Sequence, residues 1–199
     1  MTETDGEIGT GFSVEVARAW EAALMADDLP GTRRVALRTA IVLGDAGVLG
    51  PLRTLAKLGL GGTQLDGWWL TTRARREAGT AHLPGAKGGR QHFSWIHVDD
   101  VLGIIDFVEQ HPELAWLINA STPNPVDNRT FMAAVRRTLG VRFGPPMPRW
   151  MLELGAIGIR TETELILKSR WVLPGKLTSA GYRFRHPALD EALRASLAR

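Results

Sequence analysis

The 199-residue sequence contains no cysteine, which excludes disulfides, thiolate metal ligands and a cysteine nucleophile. Its five histidines include no pair at metal-ligand spacing beside a glutamate, so we predict no metal site. No run of about 18 apolar residues occurs, and the polar, acidic beginning of the chain does not resemble a signal peptide. These absences predict a cytoplasmic protein that does not act at a membrane.

The sequence has little excess charge of either sign. Lysine and arginine number 24 against 21 aspartates and glutamates, which gives a net charge of +3, and basic residues cluster only locally, at positions 73–76 and 183–185. Proteins that follow a phosphate backbone need a contiguous basic face. We therefore predict no nucleic-acid partner and interpret these arginines as solvated surface residues.

The glycines do not form a nucleotide-binding motif. Dinucleotide-binding domains need Gly-x-Gly-x-x-Gly between a strand and a helix, so that the backbone can approach the pyrophosphate. Here the glycines at 59, 61 and 62 follow a predicted helix, and those at 85, 88 and 89 precede a predicted strand. We interpret both groups as helix-stop and loop glycines, and a phosphate loop and a nucleophile elbow are absent as well.

Hydrophobic periodicity predicts alternating helices and strands. After a loose lead-in over 1–11, a helix capped by Ser13 ends at Pro30, a strand buried on both faces covers 33–43, and a helix covers 49–60. Residues 63–89 are predicted as an insertion or long loop. A strand over 93–98 then leads into a helix capped by Asp99 or Asp100, followed by a strand over 116–120 and a helix from near Asn128. Further helices are predicted over 150–159 and 163–171 and from 187 onwards. This order predicts an α/β fold.

Four separated motifs resemble one family. They are Phe93-Ser-Trp-Ile-His-Val-Asp-Asp-Val101, Ile118-Asn-Ala-Ser-Thr-Pro-Asn-Pro-Val126, Arg170-Trp-Val-Leu-Pro-Gly-Lys-Leu177 and Ala180-Gly-Tyr-Arg-Phe-Arg-His-Pro187. The chain resembles, from about position 12 onwards, the C-terminal half of the epimerase-like, extended short-chain dehydrogenases, and its end resembles the domain of unknown function DUF1731. The resemblance implies the later part of a doubly wound, Rossmann-like parallel sheet over 12–140 and a small, mostly helical DUF1731-like domain over 141–199.

The resemblance implies NAD(P) as the cofactor, but it does not assign a catalytic residue. Family members carry the cofactor turn in an N-terminal segment, so we do not expect this chain alone to bind NAD(P). At the helix that holds a Tyr-x-x-x-Lys dyad in extended short-chain dehydrogenases, this sequence has Phe12 or Ser13 and Val16 or Ala17. The only tyrosine, Tyr182, lies far downstream, where we expect it to pack.

Candidate cofactor contacts follow from the position of the strand over 33–43, whose carboxyl end faces nicotinamide and substrate in the extended fold. They are Thr39, Ala40, Ile41 and Val42. The alternative is a plain buried strand in which Arg38 anchors a carboxylate, and the two interpretations remain open.

Candidate substrate contacts come from the same comparison with the family. They are Arg38, Arg90, Gln91, Ser94, Trp95 and His97. Arg90 is the best cation for a phosphate or carboxylate, because a guanidinium offers two parallel hydrogen bonds. Nucleotide-sugar epimerases have a similar arginine where this chain has Phe93, so their substrate is not implied. For His97, Asp99 and Asp100, capping and buried hydrogen bonds are favoured over general-base chemistry.

The sequence as a whole predicts the substrate-binding, C-terminal portion of an NAD(P)-dependent epimerase or oxidoreductase that is inactive without an N-terminal cofactor-binding half. Its partners would be a small-molecule substrate and either a second copy or that half. A non-enzymatic binding or scaffolding fragment is the alternative, and the later part of a full-length enzyme encoded further upstream is another. Because the strand over 35–43 is apolar on both sides, we also expect an exposed apolar face and association.

Overall fold

The computed structural model describes residues 1–6, 9, 12–45, 47–68, 70, 73–77, 85–159, 167 and 169–197. The helices are α1 (Phe12–Met25), α2 (Leu49–Lys57), α3 (Arg73–Glu77), α4 (Val98–Gln110), α5 (Asn128–Thr138), α6 (Arg149–Ile159), α7 (Gly175–Ser179) and α8 (Leu189–Leu197). The strands are β1 (Val35–Thr39), β2 (Ile41–Leu43), β3 (His92–Phe93), β4 (Trp95–His97), β5 (Trp116–Ala120) and β6 (Val126–Asp127). The predicted α/β class is confirmed.

The strands pair mainly in parallel, as a doubly wound sheet requires. β1 lies parallel to β5 and β2 lies parallel to β4, whereas the short strands β3 and β6 are antiparallel. The strand predicted over 33–43 is interrupted at Ala40, whose N–H donates to the carbonyl of Ala120. The next N–H, that of Ile41, donates to Ser94 instead. The chain therefore changes its pairing partner at Ala40.

Two hydrophobic clusters hold the helices against these strands. One joins α2, α5 and α8 to β2, β3 and β4, and its largest fully buried side chains include Trp95 and Phe131. The other joins α4 and α7 to β4 and β5 around Ile96, Ile104 and Leu177. Because the C-terminal helices contribute to both clusters, the end of the chain is packed onto the α/β core.

The starts of α4 and α5 are capped by side chains, and two of the predicted caps need correction. α5 begins where predicted, because the side chain of Asp127 accepts a hydrogen bond from the N–H of Thr130. The predicted caps of α4 were wrong: the cap is His97, whose Nδ1 accepts from the N–H of Asp99. α1 begins at Phe12, so Ser13 lies inside the helix and is not its cap.

The segment over 63–89, which was predicted as an insertion or long loop, is partly packed against the rest of the protein. Thr63 and Leu65 exchange backbone hydrogen bonds with Met147 on either side of the buried Gln64. α3 and a 3₁₀ turn at Lys87–Gly89 also lie in this range, while Trp69 and residues 78–84 lie outside the described residues. The helix predicted over 163–171 falls mostly outside them as well, and residues 169–171 are not helical.

The first six residues are held in place, so the prediction of a loose lead-in was wrong for them. The carboxylate of Glu3 accepts hydrogen bonds from the backbone N–H of Asn119 in β5 and of Lys176 in α7. The carbonyl of Met1 accepts from the N–H of Leu173. This beginning of the chain therefore lies against β5 and the segment that leads into α7.

The apolar face of α1 is largely exposed. Trp20 is 73% exposed and Leu24 39%, although periodicity predicts both on the buried face of the helix. β1, to which α1 is attached, pairs with no strand other than β5 within the described residues. This region of the surface thus presents apolar side chains beside a strand with one unpaired edge. In the described part of the chain, no helix has the length and apolarity needed to cross a membrane.

Candidate functional site

The candidate cofactor residues lie at the carboxyl end of β1 and in β2. Thr39 and Val42 are exposed, whereas Ala40 and Ile41 are half-buried. The hydroxyl of Thr39 donates to the carbonyl of Leu37 at 3.4 Å. Two of the four predicted side chains can therefore meet a molecule that lies at this end of the strands.

Arg38 is engaged by a carboxylate of the protein itself. Its Nε and one terminal nitrogen donate to the two carboxylate oxygens of Glu21 at 2.7 and 2.8 Å. The hydrogen bond from Arg38 is the main reason why the pKa of Glu21 lies below its usual value, against the opposing effect of burial. Anchoring a carboxylate is one of the two roles that the sequence left open for Arg38, and Glu21 is a partner that sequence reasoning missed.

Gln91, Ser94 and Trp95 are buried. The amide nitrogen of Gln91 donates to the carbonyl of Gln64, and the hydroxyl of Ser94 donates to the carbonyl of Arg170 at 2.7 Å while accepting from the N–H of Val172. In this structure Gln91 and Ser94 fasten neighbouring segments to β3 and β4. Oε1 of Gln91 and Nε1 of Trp95 are buried without a hydrogen-bond partner among the described residues.

Arg90 differs from the other candidate substrate residues because it is exposed. It follows the 3₁₀ turn at Lys87–Gly89, and its N–H donates to the carbonyl of Lys87. Its guanidinium makes no ion pair with a described residue. Arg90 is therefore a cation that an anionic molecule can approach from solvent.

His97, Asp99 and His186 form a compact group at the start of α4. One oxygen of Asp99 lies 3.5 Å from Nδ1 of His97 and 3.3 Å from Nε2 of His186. Burial lowers the pKa of His97, and the nearby His186 lowers it further. His186 was not among the predicted site residues, because it lies 87 positions beyond Asp99 and only the fold brings the two together.

Asp100 connects α4 to the C-terminal motif. Its carboxylate is buried and accepts hydrogen bonds from the backbone N–H groups of Arg185 and His186 at 2.6 and 3.0 Å. Its carbonyl accepts from the hydroxyl of Tyr182 at 3.1 Å. Burial is the main cause that raises the pKa of Tyr182 to about 12, so this hydroxyl stays protonated at neutral pH and packs in the motif.

The glycines at 61, 62 and 89 do not form a turn that could approach the pyrophosphate of a dinucleotide. A Cβ atom at Gly61 or Gly62 would collide with the backbone of Ala56 or Pro145, and one at Gly89 would collide with the side chain of Thr63. These glycines allow segments of the protein to pack closely. They do not precede the first turn of a helix that could receive a phosphate.

The chain is similar to known proteins both in its C-terminal domain and over nearly its whole length. Residues 147–196 match the family described as "Domain of unknown function (DUF1731)". The epimerase family protein ML0860 of Mycobacterium leprae is 29% identical over 194 residues, which are 97% of this chain and 55% of that protein. The chain therefore spans about half the length of the curated relatives it matches.

Solved structures agree with these sequence matches. The crystal structure of human epimerase family protein SDR39U1 (isoform 2) with NADPH superposes with a TM-score of 0.78 at 26% identity, covering 100% of this chain and 59% of that one. A nucleoside-diphosphate sugar epimerase from Corynebacterium glutamicum gives 0.68 at 26% identity, covering 99% and 33%. Over nearly its whole length the chain is thus similar to the C-terminal part of epimerase family proteins, and its end matches DUF1731.

Proposed function

We propose that this chain is the substrate-side portion of an NAD(P)-dependent epimerase or oxidoreductase, and that it works only together with an N-terminal, cofactor-binding portion. Within it, residues 12–140 form the incomplete Rossmann-like part and residues 141–199 the C-terminal domain. The NADPH of the human relative supports the choice of cofactor. The match to about half of each relative supports the need for a second portion.

The observation that carries the proposal is the surface formed by α1 and by the edge of β1 that no described strand pairs with. A parallel sheet is normally covered on both faces and paired on both sides of its inner strands. Here β1 has β5 on one side, while Trp20 and Leu24 of α1 face solvent. A further strand and helix that carry the cofactor turn would pair with this edge and cover the apolar side chains.

The experiment is reconstitution. The purified chain is mixed with the separately produced part of ML0860 that precedes the matched region, and the complex is detected by light scattering on dilution. We expect a complex that binds NADPH, measured by calorimetry, and no useful NADPH binding by the chain alone, because it lacks the phosphate-cradling turn. Micromolar binding of NADPH to the chain alone would contradict the proposal.

A matched pair of tryptophan variants tests the surface itself. Trp20→Ser should weaken both the complex and any self-association, because it removes a large exposed apolar side chain from α1. Trp68→Ser removes an equally exposed tryptophan, 76% accessible, outside α1 and should change neither. If the chain is monomeric, melts cooperatively and binds no dye for apolar surface, then this surface needs no partner. Association without NADPH binding would favour the non-enzymatic scaffold.

Thr39, Ala40, Ile41 and Val42 would form one wall of the cofactor site, and Arg90 would bind an anionic group of the substrate. The exposure of Arg90 supports its role, because its guanidinium makes no ion pair with a described residue that binding would have to break. With UDP-glucose as the probe of the reconstituted complex, Arg90→Ala should weaken binding by roughly 1.5–3 kcal/mol, the scale of a charge-assisted hydrogen bond. Arg90→Lys should restore only part of the loss, and Arg129→Ala, on the exposed side of α5, should have no effect.

A further inference from the structure

We propose that His97, Asp99 and His186 bind one divalent transition-metal ion, with Zn²⁺ as the best match. The three side chains bring together a nitrogen, a carboxylate oxygen and a second nitrogen, all within 4.8 Å of one another. His97 and Asp99 stand at the start of α4, and His186 stands in the segment between α7 and α8. The spacing of histidines along the sequence predicted no metal site, because His186 meets Asp99 only in the folded chain. The proposed site is independent of the cofactor-binding portion discussed above.

The distances between the ligand atoms suit a tetrahedral ion. Ligands about 2.0–2.1 Å from a tetrahedral Zn²⁺ lie about 3.3–3.4 Å from each other. Asp99 Oδ2 lies 3.3 Å from His186 Nε2 and 3.5 Å from His97 Nδ1. These two edges of the tetrahedron are therefore already close to the length that the ion requires.

The lone pair on Nδ1 of His97 is engaged by a backbone N–H that an ion would have to displace. Because Nδ1 of His97 accepts a hydrogen bond from the N–H of Asp99 at 3.2 Å, this nitrogen carries no proton and the neutral ring is protonated at Nε2. A bound ion would use the same lone pair and take the place of this long capping bond. Two imidazoles and one carboxylate are donors that Zn²⁺ prefers, whereas Mg²⁺ and Ca²⁺ prefer oxygen ligands alone.

Surrounding contacts hold the two histidines in place before any ion binds. The buried carboxylate of Asp100 accepts from the backbone N–H of His186, which fixes the position of that residue relative to α4. The rings of His97 and His186 lie against each other, with centroids 4.0 Å apart. Such outer contacts orient metal ligands and commonly contribute to affinity.

Two of the three proposed ligands are shielded from solvent, and the third is exposed enough for an ion to enter. The side chains of His97 and His186 are 5% and 16% exposed, whereas that of Asp99 is 47% exposed. An ion can therefore enter beside Asp99, and the fourth coordination position would face solvent and take a water molecule. Because residues 147–196 match DUF1731, the ion would link that domain to the strand–helix junction at His97.

Metal titration of the untagged, chelator-treated chain of 199 residues tests this site. Calorimetry with Zn²⁺ should give one saturable site per chain, and Co²⁺ should give the intense visible absorption of a four-coordinate ion. Zn²⁺ should also raise the Tm, because it binds the folded chain. Absence of saturable binding, or only the weak absorption of fully hydrated Co²⁺, would overturn the proposal.

Two variants replace proposed ligands, and a third serves as the control. Loss of an outer contact alone commonly lowers metal affinity about tenfold, so His186→Ala and Asp99→Asn should each lower the Zn²⁺ affinity by at least that much. Asp99→Asn keeps the size of a side chain that is 47% exposed, so it remains informative if His186→Ala folds poorly. His92→Ala removes an exposed histidine in β3 and should leave the affinity unchanged. Equal affinity of Asp99→Asn and the unsubstituted chain, or an equal loss in His92→Ala, would rule out the site.

Discussion

Glu21 in α1 and Arg38 in β1 form a two-pronged ion pair, with nitrogen–oxygen distances of 2.7 and 2.8 Å. Both side chains are partly shielded, at 24% and 29% exposure. The pair attaches α1, whose apolar face is largely exposed, to the strand that starts the sheet. It therefore contributes to the position of the surface on which the proposed function depends.

The pair predicts a specific loss of stability in acid. Arg38 lowers the pKa of Glu21 in the folded chain, so the stabilisation is present above the unfolded value of 4.5 and is lost as the pH falls through the lower folded value. We expect Glu21→Gln to destabilise the chain by about 1 kcal/mol or less at neutral pH. As the pH falls below 4.5, this variant should lose less additional stability than the unsubstituted chain. Urea unfolding measures both effects. The control is Glu15→Gln, on the exposed side of the same helix. If Glu21→Gln and the unsubstituted chain lose equal amounts of stability in acid, the prediction is refuted.

Asp100 should be far more important for stability than an exposed aspartate of the same helix. Asp100→Asn removes the charge and one of the two oxygens that accept from Arg185 and His186. We expect a loss of about 1.5–3 kcal/mol in the free energy of unfolding, the scale of hydrogen bonds to a charged group. Asp106→Asn, which is exposed on α4, should stay within about 0.5 kcal/mol. Similar losses in the two variants would contradict the role assigned to Asp100.

Local patterns predicted helices and strands well where the pattern of a short segment allows only one interpretation. The apolar run over 33–43 predicted a strand, which the structure forms as β1 and β2 with parallel partners, and the start predicted near Asn128 is where α5 begins. The cap of α4 was mispredicted because His97, Asp99 and Asp100 can all accept a hydrogen bond. The carboxylate of Asp100 turns to the backbone of Arg185 and His186, which leaves the cap to His97.

Contacts between distant segments could not be predicted from local patterns. The apolar periodicity of α1 shows which face is apolar, but not whether another segment covers it, and the structure leaves Trp20 exposed. The position of His186 beside Asp99 depends on the packing of the C-terminal segment onto α4. The family resemblance pointed to both motifs, 93–101 and 180–187, without indicating that they meet.

Tyr182 predicts a loss of stability in alkali. Its pKa is about 12 in the folded chain against 10.0 for the free group, so the folded state keeps the proton where the unfolded state releases it. Stability should be fully supported below about pH 10 and should fall between pH 10 and 12, by up to about 1.4 kcal/mol per pH unit from this group.

Because Tyr182 is the only tyrosine, its ultraviolet titration reports this pKa directly. Tyr182→Phe keeps the ring packing and should be about 1 kcal/mol less stable at neutral pH, through loss of the hydrogen bond to the carbonyl of Asp100. This variant should also lose less stability in alkali than the unsubstituted chain. Titration of the folded chain near pH 10 would show that the hydroxyl is not shielded as the structure indicates.

Asn128 should be essential for holding the segment around Gln64 against α5. Its side chain is fully buried; the amide oxygen accepts from the N–H of Gln64 at 2.9 Å, and the amide nitrogen donates to the side-chain oxygen of Gln64 at 2.7 Å. Asn128→Ala leaves both groups of Gln64 buried without these partners, and each such group costs about 1–3 kcal/mol. We therefore expect a loss of roughly 2–6 kcal/mol in the free energy of unfolding, measured with urea. The control is Asn124→Ala, which removes an exposed hydrogen bond to the carbonyl of Pro187 and should cost no more than about 1 kcal/mol. A comparable cost in both variants would show that the contact between Asn128 and Gln64 does not hold the segment around Gln64 in place.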